Sequence, residues 1–245
     1  ATGPGGKGFN RAVAAGRAGA PGQFVCALGD DAGGTLARQL ADADGLELLA
    51  EASNEPTGTA GIYVDARGRN SIVIGPGANA SLSSDFIAGQ GARLGKAGVL
   101  LAQLESPVET IEAALELARQ HGVTTVLNAA PANAPSTIGL LKLADVLTPN
   151  ETEFAALLSR HVGERIEADD VAALDGASLH ELCRKLSGNT VVVTLGAVGV
   201  FVSHAPERLR GDSQPYYRVA AETVQAIDTT GAGDAFCAGV AIGLT

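Results

Sequence analysis

Short apolar runs alternate with amphipathic segments along most of the chain. Runs rich in Val and Leu predict strands, and their continuous apolar content indicates burial on both faces of a parallel sheet. The candidate strands are Gln23–Leu28, Gly98–Ala102, Val123–Asn128, Asp145–Thr148 and Thr190–Leu195. Strands that alternate with helical patterns predict an α/β fold with a mostly parallel central sheet covered on both faces.

The best-marked helix is predicted to start at Ser106. Ser106 and Glu109 have the spacing of a capping box, and Pro107 occupies the first-turn position. Gly122 supplies a C-terminal stop signal. The apolar face of this helix is formed by Val108, Ile111, Leu115 and Ala118.

One region breaks the alternation of strands and helices. Residues 58–65 and 71–74 are strand-like, and the Gly-containing segment 66–70 between them predicts a β-hairpin. A hairpin inserted into a parallel core is often no more than an edge decoration.

Composition narrows the class of protein. The 245 residues suit one α/β domain, and the net charge of -10 argues against nucleic acid or an acidic membrane surface as a partner. Cys26, Cys183 and Cys237 are widely spaced and predict buried free thiols in a reducing compartment. The sequence shows no signal segment and no apolar stretch long enough to span a bilayer, so we expect a cytoplasmic protein. The four histidines lack metal-ligand spacing.

The segment 228–234, Asp-Thr-Thr-Gly-Ala-Gly-Asp, carries the clearest chemistry. Gly231, Ala232 and Gly233 leave their backbone N–H groups uncovered, and the apolar stretch after them predicts a helix whose first turn points those donors at an anion. Asp234 lies at the mouth of this anion hole. A carboxylate beside a phosphate site can orient and deprotonate an attacking hydroxyl, which predicts a kinase acting on an alcohol. The alternative is a Gly-rich turn that only lets a strand meet a helix closely.

A second Gly-rich segment opens the chain. Residues 3–10, Gly-Pro-Gly-Gly-Lys-Gly-Phe-Asn, form a predicted flexible loop before an alanine-rich helix over 11–20. Taken alone, Lys7 would be an exposed loop charge and Asn10 a helix cap.

These two segments together resemble the ribokinase-like carbohydrate kinase family, in its ribokinase branch, whose signatures are Gly-Gly-Lys-Gly-x-Asn and Asp-Thr-x-Gly-Ala-Gly-Asp. The resemblance covers nearly the whole chain and implies a three-layer fold with a small β lid, formed by the hairpin of about residues 57–75, within a single domain over 1–245. Further matching segments are 28–31, 75–80, 103–106, 128–132, 148–153 and 194–199.

The resemblance also implies a set of site residues. Asp234 would be the base and residues 231–233 the anion hole. The sugar would be bound by Gly6, Lys7, Asn10, Glu105 and Asp234, and the nucleotide by Asn150, Thr194, Gly196 and Gly199. Glu153 would help organise magnesium, directly or through water, and Asp228 with Thr230 would form part of a potassium site.

Three of these positions have structural alternatives. Asn150 could be an ordinary helix cap, Glu105 an acid placed near a helix dipole, and residues 196–199 a simple hairpin turn.

The implied reaction is transfer of the ATP γ-phosphate to O5 of D-ribose, with magnesium as cofactor and potassium as activator. Another sugar or nucleoside kinase of the family, such as a fructokinase or adenosine kinase, and a non-catalytic sugar or nucleotide sensor stay open. An exposed edge of the lid hairpin predicts a homodimer. We expect the chain to be incomplete at both ends, because the opening strand with its sugar-binding Asp and the segments completing the adenine and cation sites are not in it.

Overall fold

The computed structural model of this protein describes residues 3–64 and 70–245. Its strands, in chain order, are β1 (Gln23–Gly29), β2 (Glu47–Ser53), β3 (Thr59–Val64), β4 (Asn70–Gly75), β5 (Val99–Gln103), β6 (Thr124–Asn128), β7 (Val146–Leu147), β8 (Thr190–Thr194), β9 (Val200–Ser203) and β10 (Tyr216–Val219). Its α-helices are α1 (Lys7–Arg17), α2 (Ala32–Ala43), α3 (Ser84–Gly89), α4 (Gly91–Leu94), α5 (Val108–Gln120), α6 (Ile138–Leu143), α7 (Glu151–His161), α8 (Ala168–Val171), α9 (Gly176–Leu186) and α10 (Ala232–Gly243). Short 3-10 helices span Gly77–Ser81 and Gly196–Val198.

The largest sheet has six strands in the order β10-β9-β8-β7-β6-β5. Strands β5 to β8 are parallel, whereas β9 and β10 pair antiparallel at one edge. The predicted α/β class with a mostly parallel central sheet is therefore confirmed. All five predicted strands are present, and the first of them, β1, pairs in parallel with β2 as a separate two-stranded sheet.

Helices cover both faces of the six-stranded sheet. On one face, β-strand side chains such as Leu127 and Val193 pack against α5, α6, α7 and α9 around Phe154. On the other face, Val126 and Val146 pack against Phe236 of α10. Val126 and Leu127, which are successive residues of β6, thus face opposite helix layers, as strand geometry requires.

The predicted capping box at the start of α5 is wrong. The helix begins at Val108 after Pro107, and no side chain caps its first turn. Proline fixes φ and lacks an N–H, so the chain enters the helix at Pro107 without help from Ser106. The apolar face is as predicted, with Ile111, Leu115 and Ala118 buried. Gly122 ends the segment at φ +72°, in the left-handed region that favours glycine.

The predicted hairpin is formed by β3 and β4, which pair antiparallel with Ile62 opposite Ile72. Residues 66–69 of its predicted turn, 66–70, lie outside the described residues. Large apolar side chains are exposed on both faces of this hairpin, including Tyr63 on one face, which is 67% exposed, and Ile62 on the other, which is 60% exposed.

Two expectations from composition can be compared with the structure. Cys26, Cys183 and Cys237 are buried free thiols, as predicted. Across residues 3–64 and 70–245, no helix combines the length and apolar character needed to cross a membrane.

Candidate active site

The candidate residues gather at the carboxyl ends of the parallel strands. Glu105 lies just beyond β5, Asn128 ends β6, and Asn150 follows β7. The first turns of α1 and α10 lie against this edge, and α10 packs on both α1 and β5. Open α/β sheets bind their ligands at this edge, outside the carboxyl ends of the strands.

Asp234 occupies the first turn of α10 and is 9% exposed. Its Oδ2 accepts a hydrogen bond from Asn10 Nδ2 at 2.9 Å, and its Oδ1 accepts one from Arg11 Nε at 3.1 Å. An ionised carboxylate has about four lone-pair sites, so each oxygen can still accept one more donor. The side chain is therefore fixed in direction and retains capacity for a substrate hydroxyl.

The turn before α10 forms part of the predicted anion hole. Gly231 has φ +77°, a left-handed conformation that places a glycine at the N-cap. The amide of Ala232 donates to Thr229 O at 3.1 Å, so it is not free as the sequence suggested. Among the described residues, the amides of Gly231 and Gly233 have no hydrogen-bond partner. Two of the three expected donors are thus open to an anion.

Residues 7–10 are helical where the sequence suggested a flexible loop. Helix α1 begins at Lys7, with Gly6 as its N-cap at φ +94°, and the Asn10 amide donates to Gly6 O at 2.9 Å. This places Lys7 and Asn10 on the first turns of a rigid element. Asn10 does not cap the helix, because its side chain is directed to Asp234.

Lys7 and Glu105 form an ion pair across the site, with Nζ 2.6 Å from Oε1. Both side chains are only partly buried, at 32% and 23% exposure. The Glu105 amide is also held by the side chain of Gln103. The two predicted sugar ligands are therefore adjacent, and they present a cation and an anion to the same space.

Asn150 and Glu153 form a reciprocal capping box at the start of α7. Asn150 Oδ1 accepts from the Glu153 amide at 2.8 Å, and Glu153 Oε2 accepts from the Asn150 amide at 3.0 Å. Asn150 is therefore a helix cap, as its structural alternative proposed. Glu153 is 7% exposed, and burial raises the pKa of its carboxyl.

Thr194 lies beside Asn150, with which it forms an isolated parallel bridge, and its amide donates to Pro149 O at 3.0 Å. Gly196 and Gly199 belong to the turn between β8 and β9. Gly199 has φ +113°, and a Cβ there would lie 2.0 Å from Val219 O. Close backbone approach alone therefore requires glycine at position 199. Strands β8 and β9 pair antiparallel, so this segment is also a hairpin turn.

Asp228 and Thr230 precede the anion hole and are exposed. Asp228 Oδ1 accepts a hydrogen bond from the Thr230 amide at 2.8 Å, and this bond holds the pKa of the carboxyl below its usual range. The pair is a local turn with one carboxylate oxygen and one hydroxyl left as oxygen donors. Oxygen donors of this kind fit a hard monovalent cation, although two residues are only part of a coordination shell.

Two residues of the site were not singled out from the sequence. Arg11 was assigned only to an alanine-rich helix, yet it is buried and contacts Asp234. Asn128 receives a hydrogen bond from Arg11 Nη2 at 2.6 Å, and its own amide donates to the Thr148 carbonyl. The signal available for Arg11 was a charged residue immediately before a run of small apolar residues, 12–15.

In the described residues, the acidic side chains do not cluster as ligands of a metal ion. Within the part of the chain that the structure describes, no group of three or more His, Cys, Asp or Glu side chains is placed to bind one. Glu153 Oε2 is engaged with Asn150 and lies 3.4 Å from Asn128 Nδ2. Its other oxygen accepts no hydrogen bond from the described residues. This donor set fits magnesium held through water, since Mg²⁺ keeps several of its waters.

Known proteins are similar to this chain over almost its whole length. The profile of the pfkB family carbohydrate kinases matches residues 1–245. The chain is 40% identical over 237 residues to the ribokinase of Haemophilus influenzae, covering 96% of this chain and 72% of that protein. It is 34% identical to the ribokinase of Schizosaccharomyces pombe, again over 96% and 72% of the two chains.

Among solved structures, Arabidopsis thaliana ribokinase complexed with ribose and ATP superposes with a TM-score of 0.78 at 28% identity. That superposition covers 98% of this chain and 74% of the plant chain. With its sequence and its fold in agreement, the chain belongs to the pfkB family of carbohydrate kinases.

Proposed function

We propose that this protein transfers the γ-phosphoryl group of ATP to O5 of D-ribose. The observation that carries the proposal is the Asp234 carboxylate, which is fixed by Asn10 and Arg11 beside the open amides of the α10 turn. The similarity to ribokinases, one of them solved with ribose and ATP, supports the choice of substrates.

Asp234 acts as the base in this mechanism. It accepts a hydrogen bond from the sugar hydroxyl, orients that oxygen for in-line attack, and takes its proton as the phosphoryl group is transferred. A carboxylate is a weaker base than the alkoxide that full deprotonation of the sugar hydroxyl would form. This is sufficient, because a loose transition state requires little proton removal before the phosphoryl group departs.

The backbone amides of Gly231 and Gly233 stabilise negative charge on the transferring group. They lie at the N-terminus of α10, where the helix dipole adds to their hydrogen bonds. Ala232 joins them if the turn bond from its amide to Thr229 O opens on binding. Preorganised donors of this kind lower the barrier because they need no reorientation during reaction.

The sugar lies between α1 and the end of β5 in this proposal. The Lys7 ammonium donates, the Glu105 carboxylate accepts, and the Asn10 amide can do both. Gly6 leaves room for the sugar at the start of α1, because a Cβ added there would have no neighbouring atom within 4 Å. Hydroxyls need such partners, since a buried unpaired hydroxyl costs about 1–3 kcal/mol.

The nucleotide binds beside Asn150, Thr194 and the turn holding Gly196 and Gly199. We assign Glu153 to hold magnesium through water, and Asp228 with Thr230 to part of a potassium site. Bound magnesium would neutralise charge on the phosphate oxygens. Within the chain, Glu153 is kept in place by Asn150 and Asn128.

The experiment measures ADP release by the full-length protein with MgATP and D-ribose, 2-deoxy-D-ribose, fructose or adenosine, with and without potassium. We expect turnover to depend on ribose and to rise with potassium. Asp234→Asn should lower kcat by at least about 10³-fold while ATP binding is preserved. A variant with near-normal turnover would refute the assignment of Asp234 as the base.

The same experiment separates the alternatives. Turnover with fructose or adenosine in preference to ribose would keep the mechanism and change the acceptor. Ligand binding without ADP from any acceptor would instead indicate a sugar or nucleotide sensor. The ribokinase relatives favour ribose over both.

We further propose that residues 1–245 belong to one domain and that the β3–β4 hairpin closes over the sugar as a lid. Closure would exclude water and so limit ATP hydrolysis. The exposed apolar faces of the hairpin support pairing with a second copy of this chain. Light scattering should therefore show a dimer that Ile72→Lys dissociates, whereas Ile138→Lys on α6, at another exposed apolar position, should leave it intact. A dimer unaffected by Ile72→Lys would contradict this interface.

A further inference from the structure

Arg11 is a buried cation beside the proposed base. The residue is 4% exposed, and its guanidinium makes two contacts, from Nε to Asp234 Oδ1 and from Nη2 to Asn128 Oδ1. Its Nη1 is buried and has no partner among the described residues. Taking two charges out of water can cost more than their mutual attraction returns, so stability alone is a poor reason for a buried Arg11–Asp234 ion pair.

The two contacts join separate parts of the site. Asn128, at the end of β6, donates to the Thr148 carbonyl and lies 3.4 Å from Glu153 Oε2. Arg11 therefore stands between the carboxylate of the proposed base and the motif assigned to magnesium and the phosphates. A planar guanidinium with donors in a fixed fork can span two acceptors, whereas a lysine ammonium cannot reproduce that geometry.

Asp234 has its two oxygens held by consecutive residues of α1. Asn10 donates to Oδ2 and Arg11 to Oδ1, so rotation of the carboxylate would break one bond or both. Catalysis by a positioned group is sensitive to small errors, and a displacement of about 1 Å can cost about 10²-fold in rate.

We propose that Arg11 is a positioning residue that fixes Asp234 for proton acceptance and couples it to the Asn128–Glu153 side of the site. This inference rests on the kinase function proposed above. It assigns Arg11 no contact with substrate, so removing it should lower kcat and leave sugar and ATP binding intact. A purely structural role would instead lower the stability of the fold and leave kcat per folded molecule unchanged.

The test compares Arg11→Met, Arg11→Lys and the matched control Arg17→Met in the full-length protein. Arg17 lies on the same helix and pairs with Asp44, away from the site. We expect Arg11→Met to lower kcat by about 10- to 100-fold, with the KM for sugar and ATP changed less than about threefold. Arg11→Lys should recover only part of kcat, and Arg17→Met should match the wild type.

Unchanged kcat in Arg11→Met would overturn the inference. If Arg11→Met does not fold, Arg11→Lys decides, because it keeps the charge and most of the side-chain stem. Full wild-type kcat in Arg11→Lys would then overturn the inference, and a loss at constant KM would support it.

A crystal structure of the Arg11→Met or Arg11→Lys variant that folds separates this inference from the proposed function. An Asp234 carboxylate that keeps its wild-type position there would refute positioning by Arg11, whatever the turnover. A wild-type protein without acceptor-dependent ADP release would refute the kinase proposal. Even if the wild type released no ADP, a displaced Asp234 carboxylate in the variant would still support the inference that Arg11 positions Asp234.

Discussion

The side chain of Asp31 binds both the start of α2 and the residue that opens the hairpin, Thr57. Asp31 Oδ1 accepts from the Gly34 amide at 2.8 Å and from Thr57 Oγ1 at 2.7 Å, while Oδ2 accepts from the Thr57 amide at 2.7 Å. One carboxylate thus caps α2 and also holds the residue at the base of the proposed lid.

Asp31→Asn should separate these two roles. Asn is as good an N-cap as Asp, so α2 keeps its cap, but the NH₂ group that replaces Oδ2 cannot accept the bond from the Thr57 amide. We expect faster amide exchange over residues 59–64 and a KM for sugar raised by about 3- to 10-fold, since the lost hydrogen bond loosens the base of the hairpin. Asp30→Asn, one residue earlier and exposed, is the control. Unchanged exchange in Asp31→Asn would show that this carboxylate does not hold the hairpin.

The same anchor predicts a pH dependence. The hydrogen bonds from Gly34 and Thr57 hold the pKa of Asp31 below its ordinary value. A depressed pKa means that the stabilisation is present above the unfolded pKa of about 3.9 and is lost as pH falls through the folded value. Amide protection over residues 59–64, corrected for intrinsic exchange rates, should therefore hold from neutral pH to about pH 4 and then fall. In Asp31→Asn this acid-dependent step should be absent.

Glu153→Gln should stabilise the fold and impair the enzyme. Burial raises the pKa of Glu153, so its contribution to stability is greatest at acid pH and is lost as pH rises through the folded pKa. The amide keeps an acceptor for the Asn150 N–H and removes the buried charge. The melting temperature should rise at about pH 7–8, with the gain vanishing near pH 4, whereas turnover at limiting magnesium should fall. Glu151→Gln, in the same helical turn, is the control, and equal shifts in both variants would contradict the burial argument.

Gly199→Ala should be strongly destabilising. The substitution forces a left-handed backbone on alanine and directs its Cβ at Val219 O. We expect a loss of about 2–4 kcal/mol in the free energy of unfolding. Gly163→Ala separates the two causes, because Gly163 has φ +80° with no atom within 4 Å of the added carbon. It should cost about 1 kcal/mol, and a similar cost at both positions would mean that the contact with Val219 is relieved.

The three thiols should be inert in the folded protein. Burial raises the pKa of Cys26 and of Cys183 to about 12, and it also raises that of Cys237. A rise from 9.0 to about 12 lowers the thiolate fraction at pH 8 by about 10³-fold. Ellman's reagent should titrate three thiols in denaturant and almost none in the native state. Rapid modification of one native cysteine would contradict its burial.

The sequence predicted the buried part of the fold well and the exposed part less well. Strand β8, Thr-Val-Val-Val-Thr, is buried over its first four residues, and burial on both faces leaves such an apolar run few alternatives. Strand β2, Glu-Leu-Leu-Ala-Glu-Ala-Ser, was not predicted, because its charged and small residues suit a helix equally well. Only its pairing with β1 makes it a strand.

Within the site, residue types were predicted more readily than their contacts. The motif around Asp234 was identified from its glycines, but the use of the Ala232 amide by Thr229 O depends on the turn conformation. Arg11 was missed because helical periodicity does not show what lies opposite a helix. Its partners, Asn128 and Asp234, are 117 and 223 positions away along the chain.

That separation also bears on how the protein acquires activity. The Arg11–Asp234 contact closes a loop of 223 positions. The chain must therefore lose conformational entropy to bring the two ends of this loop together before Asp234 is held in place. Contacts of such high sequence separation form slowly compared with local helices. The parallel strands between them can be in place while the base is still unaligned. Recovery of turnover during refolding should therefore lag behind recovery of secondary structure, and catalysis would be the most stringent reporter that the whole chain has folded.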